Sequence, residues 1–206
     1  MLLKLPSGTT IAVPPFFFRQ HPRAHLKISC ASAFHPDHIT SRLSLEILDR
    51  ELEAGPCDAL LDVGCGSGIL ALLAAHKGVP FVAGLDIDRR AIATSRENAE
   101  KNHLTQKAHW LLGTILAVQG RFQCITANLP HAVIDEILDE IMDRVAEGGV
   151  LILSGFHDIQ WHGLYARLTA HGFKDERILS GDRSFYGIPP SGSFTWMAAQ
   201  FRKNAR

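Results

Sequence analysis

The sequence predicts one α/β domain with a doubly wound, Rossmann-like sheet of seven strands, five of them parallel and two forming a C-terminal antiparallel hairpin. Between residues 57 and 154, short apolar runs alternate with helical patterns, which is typical of βαβ units. The last two apolar runs, 173–179 and 194–201, have no helix between them, and strands joined in this way pair antiparallel. The length of 206 residues fits a single domain of this kind.

The five parallel strands are predicted from apolar runs with few polar interruptions, because helices cover both faces of such a sheet. These runs are 59–63, 80–85, 108–112, 122–127 and 150–154. Helices are predicted between them at 69–77, 89–103 and 132–146. In the last of these the apolar side chains recur every three or four residues, and Glu147-Gly148-Gly149 supplies the expected helix stop.

Further elements are predicted outside the parallel core. Residues 40–52 have the apolar spacing of an amphipathic helix, and another helix is expected from Trp161 to His171-Gly172. Residues 1–35 are predicted to form an N-terminal extension of short strands, interrupted by Pro14-Pro15.

Charge and cysteine content exclude several classes of function. Lys and Arg number 21 and Asp and Glu also 21, so the chain lacks the basic excess that drives nucleic-acid binding. The cysteines stand singly, at Cys30, Cys57, Cys65 and Cys124, which predicts neither a zinc site nor a disulfide framework. With no secretion signal and no long apolar run, we expect a cytoplasmic protein that binds no metal and does not span a membrane.

An acid followed by three glycines stands where the first parallel strand meets its helix. Asp62 precedes Gly64, Gly66 and Gly68, which gives G-x-G-x-G rather than the G-x-G-x-x-G of dinucleotide sites. Glycines allow a ligand to approach the backbone closely, and a nearby carboxylate favours a ligand with an ammonium group over a pyrophosphate. The alternative is a plain glycine-rich turn.

A second acid, Asp86, ends the next predicted strand, 22 residues after Gly64. An acid at about this distance typically accepts the ribose hydroxyls of a nucleotide in this class of fold. Asp88, two residues later, is explained as the N-cap of the following helix.

With these motifs the chain resembles class I methyltransferases that use S-adenosylmethionine, and in particular the catalytic domain of ribosomal protein L11 methyltransferase. The similar segments are 60–71, 85–88, 95–99, 127–129, 151–155 and the upstream stretch 38–46. The resemblance runs from about residue 34 to the end, which implies a methyltransferase catalytic domain over 36–206. Two features depart from the family pattern: Phe34-His35-Pro36-Asp37-His38 is shorter than the family's glycine-containing loop, and only about 35 residues precede the matched region.

The resemblance implies that Ser41, Gly64, Asp86 and Asn128 contact the cofactor, and that Asn128 also faces the methyl-transfer site. The complete predicted cofactor set is Ser41, Asp62, Gly64, Cys65, Gly66, Gly68, Asp86, Ile87, Thr114 and Asn128. His38 is the second predicted catalytic residue, as a proton acceptor or substrate contact, with a structural helix-start hydrogen bond as the alternative. His131 and His157 follow two of the strands and are either site or surface residues.

The predicted function is S-adenosylmethionine-dependent N-methylation of an amino group on a protein or a small molecule. Such an amine must be neutral to react, so the site has to desolvate it or offer an acceptor. One alternative is an RNA or DNA base methyltransferase, since Asn128-Leu129-Pro130-His131 occupies the position of an N-P-P-Y motif without its second proline or its aromatic residue. The other is a non-catalytic, methyltransferase-like binding module.

Overall fold

The computed structural model describes residues 1–13, 23–30, 37–181 and 195–205. The predicted interruption at Pro14-Pro15, the first three residues of the 34–38 segment and the start of the predicted strand at 194 lie outside the described residues. The elements are β1 (Leu2–Lys4), β2 (Thr10–Ala12), β3 (Leu26–Lys27), α1 (Ile39–Ala54), β4 (Ala59–Val63), α2 (Ile69–His76), β5 (Phe81–Asp86), α3 (Arg89–Lys101), β6 (Ala108–Leu112), β7 (Phe122–Asn128), α4 (His131–Arg144), β8 (Val145–His157), α5 (Trp161–Ala170), β9 (Phe173–Gly181) and β10 (Trp196–Lys203).

The predicted seven-stranded sheet is confirmed. Its strand order is β6-β5-β4-β7-β8-β10-β9, with parallel pairing from β6 through to β8. The antiparallel hairpin is present, and β10 lies between β8 and β9 and pairs antiparallel with both. The chain runs outward from β4 to β6 and then returns to β7 on the other side of β4. The carboxyl ends of β4 and β7 therefore form the switch point at which open α/β sheets bind ligands.

Alternate residues of the sheet fill two buried clusters, one on each face. On β4, Leu60 packs with the helices of the first face and Leu61 with those of the second. Ile152 and Leu153 divide in the same way on β8, as expected for a pleated strand covered on both sides. The clusters hold the central strands rigid beneath the ends of β4 and β7.

The first three strands form a small separate sheet whose apolar residues are buried in the same cluster as α1 and α2. A polar contact reinforces this packing: the fully buried Asp49 of α1 accepts hydrogen bonds from Ser7 N and Ser7 Oγ, at 2.8 and 2.7 Å. Lys77 Nζ lies 2.8 Å from the Asp49 carboxylate. Burial would raise the pKa of Asp49, but the contacts from Lys77 and Ser7 outweigh it and lower that pKa below its ordinary value.

The largest departure from the predicted boundaries lies where α4 meets β8. The helix expected over 132–146 ends at Arg144, and the Glu147-Gly148-Gly149 segment lies within β8 rather than stopping the helix. Val145 already pairs with Phe122 of β7, so the strand begins directly after the helix. Gly148, at φ +70°, bends the chain inside the strand, where the register with β7 shifts.

Candidate functional site

Two adjoining hollows lie at the carboxyl edge of the sheet. The main cavity has a volume of about 590 Å³, within the range of small-molecule sites, and the inner recess has a volume of about 40 Å³. Gly64, Gly66 and Asn128 line both. The main cavity is also lined by His38, Thr40, Asp86, Asp88, Ala91, Leu129, Pro130, His131, Ala132, Gly155, His157, Gln160 and Trp196. The inner recess is also lined by Ser41, Asp62, Cys65, Ser67, Ile69 and Leu70.

The glycine loop, residues 64–68, connects β4 to α2 by positive-φ turns. At Gly64, with φ +72°, a Cβ atom would lie 2.2 Å from Leu129 Cδ2, so only glycine permits this approach to the segment after β7. At Gly68, with φ +77°, a Cβ would lie 2.6 Å from the Trp110 ring. Gly68 thus serves helix–sheet packing, whereas Gly64 lines both hollows.

Asp62 lies beneath this loop with only 1% of its surface exposed. Its Oδ1 accepts a hydrogen bond of 2.7 Å from Thr126 Oγ1 of β7, while its Oδ2 meets no hydrogen-bond donor among the residues that the structure describes. Burial raises the pKa of Asp62 to about 7, opposed by the Thr126 bond and by the backbone N–H of Ala71, which faces the carboxyl group without making a full hydrogen bond to Oδ2; the negative charge of Asp86 adds to the rise. A buried carboxyl oxygen without a partner, at the wall of a recess, is suited to a donor or a cation.

Asp86 ends β5 and faces the main cavity from the opposite side of the glycine loop. Its Oδ2 accepts from Gly66 N at 3.0 Å and its Oδ1 from Asp88 N at 2.9 Å. These bonds fix the carboxylate and leave each oxygen with room for a further donor. Asp88 caps α3 by accepting from Arg90 N at 2.8 Å, as predicted, although it also lines the cavity.

Asn128 and Ser41 meet where β7 ends and α1 begins. Asn128 Nδ2 donates to Ser41 Oγ over 3.3 Å, joining residues that are 87 positions apart. Ser41 is buried on α1 and faces the inner recess, while Asn128 lines both hollows. The predicted contact residues of the upstream segment and of the fourth parallel strand are thus brought together.

His38 combines a structural contact with a place in the main cavity. It is the N-cap of α1, where its Nδ1 accepts from Thr40 N at 3.3 Å, in agreement with the alternative of a helix-start hydrogen bond. Its ring meets that of Trp196 edge-on at 5.2 Å, and the His157 ring lies 3.8 Å from the same indole. The three rings form one wall of the cavity.

Sequence reasoning missed Trp196, Gln160 and Gly155, which all line the main cavity. Trp196 begins a strand that was recognised only as part of a hairpin, and Gln160 lies in a short turn after β8. Gln160 is placed locally, because its Oε1 accepts from His157 N at 2.8 Å, whereas Trp196 reaches the cavity only through the pairing of β10 with β8. His131 and His157, left open between site and surface, both line the cavity.

Three predicted cofactor residues do not line either hollow: Gly68, Ile87 and Thr114. Ile87 follows Asp86 and is 77% exposed, and Thr114 begins a single turn after β6. Cys65 does line the inner recess, but burial raises the pKa of its thiol well above the ordinary value, so it has no nucleophilic thiolate. Among the described residues no group of three or more His, Cys, Asp or Glu side chains is placed to hold a metal ion.

Comparison with known proteins gives a consistent result. The family model described as "Ribosomal protein L11 methyltransferase (PrmA)" matches residues 19–183. The chain is 31% identical over 153 residues to the ribosomal protein L11 methyltransferase of Syntrophomonas wolfei, covering 73% of this chain and 49% of that protein. The chain therefore spans about half the length of this curated relative.

Two solved structures share the fold. A ribosomal protein L11 methylase from Lactobacillus delbrueckii subsp. bulgaricus superposes with a TM-score of 0.76 at 23% identity, over 95% of both chains. The N-methyltransferase NodS from Bradyrhizobium japonicum, solved in complex with S-adenosyl-L-homocysteine, gives a TM-score of 0.61 at 19% identity over 81% of this chain and 89% of NodS. At these identities the likeness concerns the fold alone.

Proposed function

The chain belongs to the ribosomal protein L11 methyltransferase family, and we propose that it binds S-adenosylmethionine and methylates an amino group on a protein or a small molecule. The observation that carries the proposal is the buried Asp62 carboxyl, whose Oδ2 has no partner among the described residues and lies at the inner recess under the glycine loop. Residues 36–206 would supply this activity, with residues 1–35 as an N-terminal extension of short strands.

The residues around the two hollows fit this cofactor. The free oxygen of Asp62 offers a partner to an ammonium group, and the Gly64–Gly66 backbone provides a close surface beside it. About 20 residues further along, Asp86 offers its carboxylate to a pair of ribose hydroxyls. Ile87, exposed next to Asp86, would be covered by the adenine ring, and Thr114 stands at the end of the neighbouring strand. Covering an exposed apolar side chain adds to ligand affinity.

When bound, the cofactor supplies a methyl group on a positively charged sulfur, and the protein has to align an acceptor with it and exclude water. Asn128 is placed for alignment, because its Nδ2 donates to Ser41 Oγ while its amide oxygen can accept a hydrogen bond from the N–H of an incoming amine. The rings of His38, His157 and Trp196 would screen the amine from water, which favours its neutral form. His38 remains the proposed proton acceptor or substrate contact.

An amine is proposed in preference to a nucleic acid because 21 acidic residues balance the 21 basic ones. The relatives are named ribosomal protein L11 methyltransferases, which supports a protein as the acceptor. Within the described residues no helix is long and apolar enough to cross a bilayer. A cytoplasmic location is proposed on the basis of the single cysteines.

Calorimetry with S-adenosylhomocysteine, S-adenosylmethionine and NAD tests the cofactor. We expect both sulfur nucleosides to bind and NAD to bind far more weakly, because the glycine loop offers Asp62 where a pyrophosphate would stand. Transfer of a labelled methyl group to lysine-rich peptides or small amines then tests the activity. NAD binding as tight as that of S-adenosylhomocysteine would contradict the proposal, and binding without transfer to any acceptor would favour the non-catalytic alternative.

A further inference from the structure

Helix α3 holds the glycine loop through two buried side chains. Ser95 Oγ donates to Gly66 O at 3.0 Å, and Asn98 Nδ2 donates to Ser67 O at 2.9 Å. Both side chains are fully buried. Since Gly66 N is bound by Asp86 on the cavity side, the loop is fixed from two directions. Neither Ser95 nor Asn98 lines the main cavity or the inner recess.

Asn98 also binds an extended segment from the N-terminal part of the chain. Its Oδ1 accepts from both Ser29 N and Ser29 Oγ at 2.9 Å, and its Nδ2 donates to Ser29 O at 2.7 Å. Together with the bond to Ser67 O, these contacts use both donors and both acceptor sites of the amide. Three of the four bonds therefore depend on Ser29, and the fourth holds the loop.

Asn102, one turn later on α3, provides a matched comparison. It binds Lys27 in the same way, accepting from Lys27 N and donating to Lys27 O, both at 2.8 Å. Its second donor goes to Asn98 O, within the same helix, at 2.7 Å. The two asparagines thus hydrogen-bond to alternate residues of one extended segment, Lys27 and Ser29. Of the two, Asn98 alone also bonds to the glycine loop.

We propose that Asn98 is a positioning residue for the glycine loop and that it transmits the docking of residues 27–29 to the cofactor site. If the segment leaves α3, Asn98 loses three of its four hydrogen bonds. An amide in that state gains by turning toward water or another protein partner, since unmet polar groups are costly. Turning the amide releases Ser67 O, and the loop loses one of its fixed points.

Two measurements on Asn98→Ala, with Asn102→Ala as the control, test this inference. The first is hydrogen exchange of the amides of Cys65, Gly66 and Ser67 in protein without ligand. We expect Asn98→Ala to accelerate their exchange about tenfold, as for the loss of one buried hydrogen bond, and Asn102→Ala to leave them within about twofold. Asn98→Ala should also accelerate exchange at Ser29, whereas Asn102→Ala should accelerate it at Lys27 and leave Ser29 held by Asn98. Equal effects of the two variants on the loop would overturn the inference, because Asn98 would then be merely structural.

The second measurement is calorimetry with S-adenosylhomocysteine, and this arm rests on the proposed function. Asn98→Ala should weaken binding about tenfold and Asn102→Ala less than about twofold, because only the former frees the loop. Should wild-type protein bind no S-adenosylhomocysteine while the exchange results hold, the proposed function fails and the positioning role stands. Tight binding by wild type with unchanged binding and loop exchange in Asn98→Ala would refute the positioning role alone.

A milder variant, Ser29→Ala, keeps the inference testable if Asn98→Ala does not fold. Ser29→Ala removes one of the four bonds to Asn98 and touches no part of the glycine loop. Exchange of the loop amides should rise by a smaller factor, about twofold to threefold, if docking is transmitted through Asn98. Loop exchange identical to that of wild type in this variant would contradict transmission.

Discussion

The two ends of the main cavity differ in charge and in how the chain assembles them. The cofactor end consists of the glycine loop, Asp86 and Asp88, with Asp62 in the inner recess beneath the loop; it comes from two consecutive βα turns and carries three carboxyl groups. The acceptor end is formed by His38, Asn128, His157, Gln160 and Trp196, which come from five separate elements and include no carboxylate. This difference supports the proposed function, in which one end would hold a cationic nucleoside and the other would receive an uncharged group.

Removing the Asn128 side chain should produce the largest effect and separate the two ends. Asn128→Ala is expected to lower the methyl-transfer rate about tenfold to a thousandfold, because a group that orients the reacting amine acts mainly in the transition state. Binding of S-adenosylhomocysteine, measured by calorimetry on the same variant, serves as the control and should change far less. A loss of affinity that accounts for the whole loss of rate would assign Asn128 to the cofactor end.

Asp86→Ala should give the largest loss of affinity at the cofactor end. Two ribose hydroxyls would lose a charged acceptor, at a cost of roughly 1.5–3 kcal/mol, or about a tenfold to hundredfold loss of affinity for S-adenosylhomocysteine. Asp88→Ala is the matched control, because it removes a carboxylate two residues away whose hydrogen bond caps α3. That control should lower stability by about 1 kcal/mol in urea unfolding and alter affinity little. If the two variants bound S-adenosylhomocysteine with similar affinity, Asp86 would not be the residue that binds the ribose hydroxyls.

The pH dependence of cofactor affinity should report on Asp62. An ammonium group favours the ionised carboxylate. Binding is therefore expected to lower the pKa of Asp62 from about 7, its value in the protein without ligand. Affinity is therefore expected to increase with pH, by at most about tenfold per unit, up to pH 7, and to level off above it. Asp62→Asn should abolish this dependence between pH 6 and 8. A dependence that survives the substitution would have to come from another group.

Trp196→Ala should have the smallest effect and should be confined to the acceptor end. Loss of the indole opens the wall shared with His38 and His157, and we expect the KM of the amine acceptor to rise about threefold to tenfold. Trp196→Phe should restore most of the loss, since a ring remains. Weaker binding of S-adenosylhomocysteine by Trp196→Ala would show that the two ends are not separable.

The same contrast explains how much the sequence could predict. The fold followed from apolar runs, and β4 and β6 have the bounds that those runs predicted. The spacing of the acids and glycines is a local feature of the sequence. The succession of predicted strands along the chain was therefore enough to place four residues at the carboxyl edge of the sheet: Asp62, Gly64, Gly66 and Asp86. Trp196 could not be placed in this way, because it reaches the cavity through the pairing of β10 with β8, for which the sequence carries no local signal.

Other features of the structure depend on contacts between residues that are far apart in the sequence, and local sequence patterns could not predict them. Gly68 belongs to the glycine motif, yet its missing Cβ makes room for Trp110, a residue 42 positions later on β6. The buried polar contacts of Asn98 and Asp49 likewise depend on partners more than 40 residues away. The prediction that Gly148-Gly149 ends the helix was wrong, because Val145 already pairs with β7 and the strand begins before these glycines.

The position of β10 also sets an order for biosynthesis. Its neighbours β8 and β9 are both translated earlier, and they are bridged only when Trp196–Lys203 has left the ribosome. The glycine loop and Asp86, on β4 and β5, are translated long before that moment. The elements of the proposed cofactor end therefore leave the ribosome first, and the aromatic wall of the acceptor end is complete only with the last strand of the sheet.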